Sequence, residues 1–240
     1  PATSHAPADL QQVPGSLNLD WFYMFLYPVF DEWGAAPLWI LAVGVSVMVA
    51  AMPWMPPLKR PKPAQVYLDK CNGCTRCFED CPFGAITMAP RSDGRPFERE
   101  AVVAADLCTS CGICVGSCPV STPFRSSEKL VTGIDLPDLN LKRLRHKTQQ
   151  AIEDAGSSGI VVFGCDYGVD VKGLDGPGVQ GLSLPCIGML PPSFIDYTLG
   201  RDGVDGVLIT GCKECECFSR LGNRWTIERI AGLRDPYLRK

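Results

Sequence analysis

Two short stretches constrain this chain more than anything else in it. Residues 71–82 read CNGCTRCFEDCP and residues 108–119 read CTSCGICVGSCP, each a C-x2-C-x2-C-x3-C-P run. Three thiolates in so tight a loop wrap one face of a [4Fe–4S] cube. The fourth is displaced from that face and reaches the neighbouring cube instead. The spacing therefore assigns Cys71, Cys74, Cys77 and Cys118 to one cluster, and Cys81, Cys108, Cys111 and Cys114 to the other. Tetrahedral zinc also takes thiolates, but it requires neither the third cysteine at this spacing nor the proline after the fourth. Pro82 and Pro119 turn the chain away after each run.

These motifs resemble the bacterial two-cluster ferredoxin, over about residues 64–126. Between them, AITMAPRSDGRPFEREAVV reads as two short strands around a Ser-Asp-Gly turn. The resemblance implies two close clusters that pass single electrons. No acid/base pair or nucleophile accompanies them, so the segment carries electrons and makes no bonds.

Composition agrees with metal. The 240 residues include 13 Cys and only 2 His, with a formal net charge of −3. An odd cysteine count rules out a complete set of internal disulfides, and the balance of charge excludes a strongly basic nucleic-acid binder. Thiolates kept for iron imply a reducing, cytosol-like compartment. Neither His5 nor His146 has ligand company. No basic stretch precedes an early apolar run, so no secretory signal is expected.

No charged residue lies between Glu32 and Lys59, and the core of that run is APLWILAVGVSVMVAAMPW, Ala36 to Trp54. About 20 apolar residues suffice to cross a bilayer. Trp39 and Trp54 sit near the ends, where interfacial aromatics are expected. Residues 1–58 carry Asp9, Asp20, Asp31 and Glu32 but no Lys or Arg, whereas Lys59, Arg60 and Lys62 follow at once. The positive-inside rule then puts everything after residue 58 on the cytoplasmic face. The expected location is the prokaryotic cytoplasmic (inner) membrane, crossed once. Membrane lipid is then a partner, and MPPLKRPKP is a short stiff spacer.

Ahead of the span, SLNLDWFYMFLYPVFDEW resembles the start of the C-terminal part of cytochrome b, or subunit IV of the cytochrome bf complex, over roughly 55 residues. In that family a Pro-Glu-Trp-Tyr segment borders the quinol-oxidation site. Leu19, Asp20, Trp21 and Phe22 occupy the matching positions, with Asp in place of Glu and Phe in place of Tyr. The resemblance implies that Asp20 accepts a quinol proton. Read from the residues alone, the same stretch is an aromatic interfacial anchor without chemistry. The span contains no His, so haem b and quinone are expected in a cytochrome b-type partner or at its interface.

Residues 127–156 contain no Cys and read as a helical linker. Leu141 and Leu144 give it an apolar side, and Lys142, Arg143, Arg145 and Lys147 a basic one. That basic side is either solvated or docked to an acidic partner or anionic lipid.

From Ser157 the pattern changes. The apolar runs GIVVFGC, VQGLSLPC and DGVDGVLITGC end at Cys165, Cys186 and Cys212, with helical stretches PSFIDYTLGRDG before the third run and NRWTIERIAGL after it. Strand–helix alternation predicts a small α/β domain with a mostly parallel sheet. Ligand sites in such sheets lie at the C-terminal strand ends, where all three cysteines fall. The segment resembles the delta-subunit family of methyl-viologen-reducing hydrogenase, through FGC, LPC, GCKECEC and the Gly222-Asn223 pair. The resemblance implies one [2Fe–2S] cluster on Cys165, Cys186, Cys212 and Cys217, with Cys215 a non-ligand. Gly168 stands where the family often has a second cysteine. It also implies an adaptor that passes electrons between a dehydrogenase and a flavin-containing, heterodisulfide reductase-like subunit.

The expected architecture is an α+β multidomain chain. Residues 1–58 form a periplasmic-side interfacial segment with one transmembrane helix (about 36–55), and 59–126 a two-cluster ferredoxin domain. Residues 127–156 are the linker and 157–240 a [2Fe–2S] domain. The expected function is a membrane-anchored electron-transfer subunit that links a cytoplasmic flavoprotein or dehydrogenase to a cytochrome b/quinone module. The alternative is a catalytic subunit of a heterodisulfide reductase-like enzyme acting at the C-terminal domain.

Overall fold

The computed structural model describes residues 11, 21–55, 61–119, 132–156, 158–213 and 215–238. The chain divides into two compact units, Pro1–Lys59 and Arg60–Lys240. Asp20, Leu19 and His5 lie outside the described residues.

In the first unit, α1 (Trp21–Met24) and α2 (Tyr27–Trp33) precede α3 (Ala35–Ala51). Pro28 sits in the first turn of α2, where its missing N–H costs nothing. Gly34 ends α2 with φ of +72°, its N–H donating to the Phe30 carbonyl. α3 runs on through a 3-10 turn, so that Ala35–Trp54 makes 20 continuous helical residues, about 30 Å at 1.5 Å per residue. No side chain of α3 is buried. Trp39, Ile40, Val45 and Met48 lie on different sides of the axis and are all exposed. A helix without a polar face has nothing to offer water. This one is long and apolar enough to cross a membrane.

The second unit begins with β1 (Gln65–Val66), which pairs antiparallel with β4 (Ile134–Asp135). Between them, β2 (Ile86–Pro90) and β3 (Arg99–Val103) form an antiparallel hairpin. Two one-turn helices, α4 (Arg76–Glu79) and α5 (Ile113–Gly116), occupy equivalent places in the two cysteine runs. Each is entered through left-handed backbone, at Thr75 and at Gly112.

The rest of the unit is a three-stranded parallel sheet in the order β6-β5-β7, made of β5 (Gly159–Cys165), β6 (Val179–Leu184) and β7 (Val204–Thr210). Helix α6 (Leu141–Ala155) packs on β5 and β6, and α7 (Pro192–Leu199) on β7. Helix α8 (Gly222–Ile230) packs on the 3-10 turn Ile187–Met189. Leu141, Leu144 and Ile152 of α6 join Phe163, Leu184 and Phe194 in one apolar core, which continues through Met189 and Leu136 to Val115, Cys114 and Cys77.

Over its described residues, the stretch read from sequence as a linker is therefore part of the fold. Ile134 and Asp135 complete a sheet with β1, and α6 buries its apolar side against β5 and β6. Asn140 caps α6 by accepting from the Arg143 N–H at 2.8 Å. Asp135 accepts from the Leu141 and Leu136 N–H groups. Lys142, Arg143, His146 and Lys147 remain exposed on the opposite side. One continuous core joins what composition divides into three pieces.

Candidate iron–sulfur sites

Cys71, Cys74, Cys77 and Cys118 line one cavity, and Cys81, Cys108, Cys111 and Cys114 line a second. Apolar side chains complete the walls of both. The fourth cysteine of each run thus sits with the first three of the other.

Local backbone produces this arrangement. Gly73 adopts φ of +68°, and a Cβ there would stand 2.4 Å from the Arg99 carbonyl oxygen. Ser110 holds the equivalent place in the second run, also at positive φ. The Cys71 N–H donates to the Tyr67 carbonyl, and the Tyr67 N–H to the Gly133 carbonyl, each at 2.9 Å. That draws Gly133 against the first cavity, where a Cβ would lie 3.4 Å from Cys118 Sγ. At the second cavity the Ala64 N–H donates to Cys108 Sγ at 3.5 Å and the Ala85 N–H to Cys81 Sγ at 3.3 Å. Such bonds stabilise a negatively charged sulfur.

The third group of thiols lies at the C-terminal edge of the parallel sheet. Cys165 ends β5, and Cys186 and Cys212 follow β6 and β7. Cys165 Sγ is 3.4 Å from Cys212 Sγ. A Cβ on Gly222 would fall 2.3 Å from Cys186 Sγ and 3.7 Å from Cys217 Sγ, which places those two sulfurs around one point. Asn223 donates through Nδ2 to the Cys212 carbonyl and so ties α8 to the Cys212 loop. A Cβ on Gly168 would stand 2.8 Å from the Gly211 carbonyl oxygen, so that position admits no cysteine without a shift of the loop. Cys215 is exposed, in left-handed backbone at φ of +65°. Cys165, Cys186 and Cys212 are buried and Cys217 half-buried.

The electrostatics suit a cationic occupant. Burial, reinforced by Cys74, Cys118 and Cys71, pushes the Cys77 thiol up to about 12. Burial raises Cys114 well above its ordinary value. At the third group, a hydrogen bond between Cys165 and Cys186 raises the first and lowers the second. Thiols packed this closely cannot all ionise without a positive centre among them. Among the described residues, no three His, Cys, Asp or Glu side chains converge on a single ion. The doubled C-x2-C-x2-C-x3-C-P spacing of the eight thiols around the first two cavities fits multi-iron clusters better than one tetrahedral zinc.

One group beside these sites carries no motif. Asp80, next to Cys81, and Ser117, next to Cys118, are both buried. The Ser117 hydroxyl donates to Asp80 Oδ2 at 2.6 Å. Arg229 of α8, 1% exposed, donates to Asp80, to the Ser117 oxygen and to the Gly188 carbonyl. Arg234 donates to the other Asp80 oxygen. Burial alone would raise the Asp80 pKa, but bonds from Arg234, Ser117 and Arg229 hold it below its ordinary value. Nothing in the spacing of Asp80 or Arg229 marks them in advance. Nearby, Arg220 donates to the Pro82 carbonyl at 2.9 Å and lies over the Phe83 ring.

Comparison with known proteins agrees with this geometry. A family model for a 4Fe-4S dicluster domain matches residues 70–122. A model for the delta subunit of methyl-viologen-reducing hydrogenase matches residues 160–237. An uncharacterized ferredoxin of Methanocaldococcus jannaschii is 30% identical over 53 residues, which cover 22% of this chain and 64% of that protein. The PorD subunit of pyruvate synthase from Methanothermobacter marburgensis is 34% identical over 61 residues, 25% of this chain and 62% of that protein. The chain therefore spans somewhat under two thirds of the curated relatives it matches. No solved structure matches it significantly.

Proposed function

We propose that this iron–sulfur electron-transfer protein is a membrane-anchored subunit that links a cytoplasmic redox partner to a cytochrome b/quinone module. The observation that carries the reading is the gathering of twelve of the thirteen cysteines into three groups within one compact unit, in a chain that also has an uncovered apolar helix of membrane-spanning length.

In this reading Cys71, Cys74, Cys77 and Cys118 hold one [4Fe–4S] cluster. Cys81, Cys108, Cys111 and Cys114 hold the second, and Cys165, Cys186, Cys212 and Cys217 hold a [2Fe–2S] cluster. When bound, such clusters supply one-electron centres whose potentials depend on charge, hydrogen bonding and exposure. The chain's own residues set those conditions. The N–H groups of Ala64 and Ala85 stabilise charge on Cys108 and Cys81. Met88, Ala101 and Ile134 line the first cavity with apolar surface, and Ile86, Val103 and Leu136 the second. The exposed Cys215 holds no iron.

The α3 helix is the anchor, with Lys59, Arg60 and Lys62 on the cytoplasmic side. Haem b and quinone belong to a cytochrome b-type partner, and a quinol proton acceptor at Asp20 falls within that part of the reading. The similarity to a hydrogenase delta subunit supports a flavoprotein or heterodisulfide reductase-like subunit as the soluble partner.

Purification of the chain from membranes in mild detergent tests the reading. The expected preparation has about ten irons per chain, two four-iron clusters and one two-iron cluster, and co-purifying haem b and flavin polypeptides. Recovery in the soluble fraction without detergent, or zinc in place of iron, overturns it.

A further inference from the structure

The second and third thiol groups meet along a seam that three glycines make narrow. A Cβ on Gly116 of α5 would stand 2.1 Å from the Gly188 carbonyl oxygen. One on Gly188 would stand 2.9 Å from Ile113 Cγ1. One on Gly222, which opens α8, would stand 2.3 Å from Cys186 Sγ and 3.6 Å from Ile113 Cδ1. None of the three glycines has positive φ. The backbone there accepts any residue, and only the space demands glycine.

Ile113 lies at the centre of this seam. It is 1% exposed and lines the second cavity beside Cys111 and Cys114. On its other side it packs with Cys186 and Trp225 in one buried cluster, against which Cys111 also packs. Cys77 and Cys114 lie together in the main buried core. The sites thus run in a row. The first adjoins the second through the core that holds Cys77 and Cys114, and the second adjoins the third through Cys111, Ile113 and Cys186.

We infer that the third site exchanges electrons with the second site and not with the first, across Ile113, and that Gly116, Gly188 and Gly222 are positioning residues that set this separation. The inference rests on the reading that all three sites hold iron–sulfur clusters. In the exchange one electron leaves the reduced centre and one oxidised neighbour gains it. No bond breaks and no proton is transferred. The unit then has two ends, the first site and the third, with the second as obligatory relay.

The test uses the full chain in detergent, reduced stepwise with dithionite. Iron is counted and the third-site EPR signal is followed. The signal should broaden and relax faster once the second site is reduced. Cys74→Ala, which removes a thiol of the first site, should leave that broadening intact, and Cys108→Ala should abolish it. Gly188→Ala pushes a methyl group into Ile113 Cγ1 and should weaken the broadening at unchanged iron content. Gly188→Ala combined with Ile113→Ala removes the clash and should restore it. Full iron content with a third-site signal indifferent to the second site, or responsive to the first, overturns the inference and leaves the proposed function standing. Iron far below about ten per chain in the parent protein removes both.

Discussion

Arg229 and Asp80 lie 149 positions apart in the chain and form one buried ion pair, with Arg229 Nη2 2.5 Å from Asp80 Oδ2. Asp80 stands beside a cysteine of the first run, and Arg229 lies on the last helix. The pair therefore joins the ferredoxin-type part of the unit to the parallel-sheet part. Its exposed edge is held by Arg234, whose guanidinium also lies over the Trp225 ring.

Breaking a buried pair by removing one partner leaves an uncompensated charge and costs about 3–5 kcal/mol. Arg229→Met should therefore lower the unfolding free energy of the intact chain by roughly 3 kcal/mol, since Arg234 still partly serves Asp80. Asp80→Asn combined with Arg229→Met should cost less than the two single changes added together. Denaturant unfolding of the four proteins gives the coupling energy, and a value near zero would refute the account.

Gly73 is required twice over, by its φ of +68° and by the Arg99 carbonyl 2.4 Å from where a Cβ would be. Gly73→Ala should disrupt the loop that carries Cys71 and Cys74. About four irons per chain should be lost while the second site stays filled. Iron analysis with the visible absorption spectrum measures this, and a full iron complement would contradict it.

The two cysteines Cys215 and Cys217 should behave differently on replacement by Ser. Cys215 is exposed, and its change should leave iron content and the EPR signals unaltered. Cys217 stands with Cys186 around Gly222, and its change should cost the two-iron signal. The opposite pattern would exchange their roles.

Asp135 makes a pH-dependent contribution to stability. Burial raises its pKa from 3.8 to about 6, against the bonds from the Leu141 and Leu136 N–H groups that lower it. A carboxyl with a raised folded pKa binds its proton more tightly when folded. The protein therefore gains stability as pH falls through about 6 and stops gaining near the unfolded value of 3.8. At about 1.4 kcal/mol per unit the full contribution is up to about 3 kcal/mol. Urea unfolding between pH 7 and pH 5 should show the parent gaining relative to Asp135→Asn. Parallel pH profiles would sink this assignment.

If α3 crosses the bilayer, a charge at its middle is costly, about 2.5–3.5 kcal/mol on the insertion scale. Val45→Arg should shift the chain out of the carbonate-washed membrane fraction, whereas Lys62→Gln should not. Equal membrane retention of Val45→Arg would argue against the anchor.

Much of this is legible in one dimension because the constraints concerned are local. A C-x2-C-x2-C-x3-C-P run sets three of its four thiols within a single loop, and an uncharged apolar stretch of membrane length needs no partner to be recognised. Cys165 at the end of β5, and Cys186 and Cys212 just after β6 and β7, follow from short apolar runs that close on Gly-Cys or Pro-Cys. Composition does not reveal that residues 132–156 pack into the fold, because a basic helical face looks the same whether the opposite face is loose or buried. Leu141, Leu144 and Ile152 differ from solvated leucines and isoleucines only through what they meet.

Sequence alone marked the two C-x2-C-x2-C-x3-C-P runs, the cysteines that follow the apolar runs and the uncharged apolar helix, all of which depend on neighbours within a few residues. Only the tertiary structure decided that residues 60–240 form one body, that Arg229 closes on Asp80, and that Ile113 lies between the second and third sites. Those contacts join positions more than seventy residues apart, and their energy comes from burial and close approach, which no spacing rule encodes.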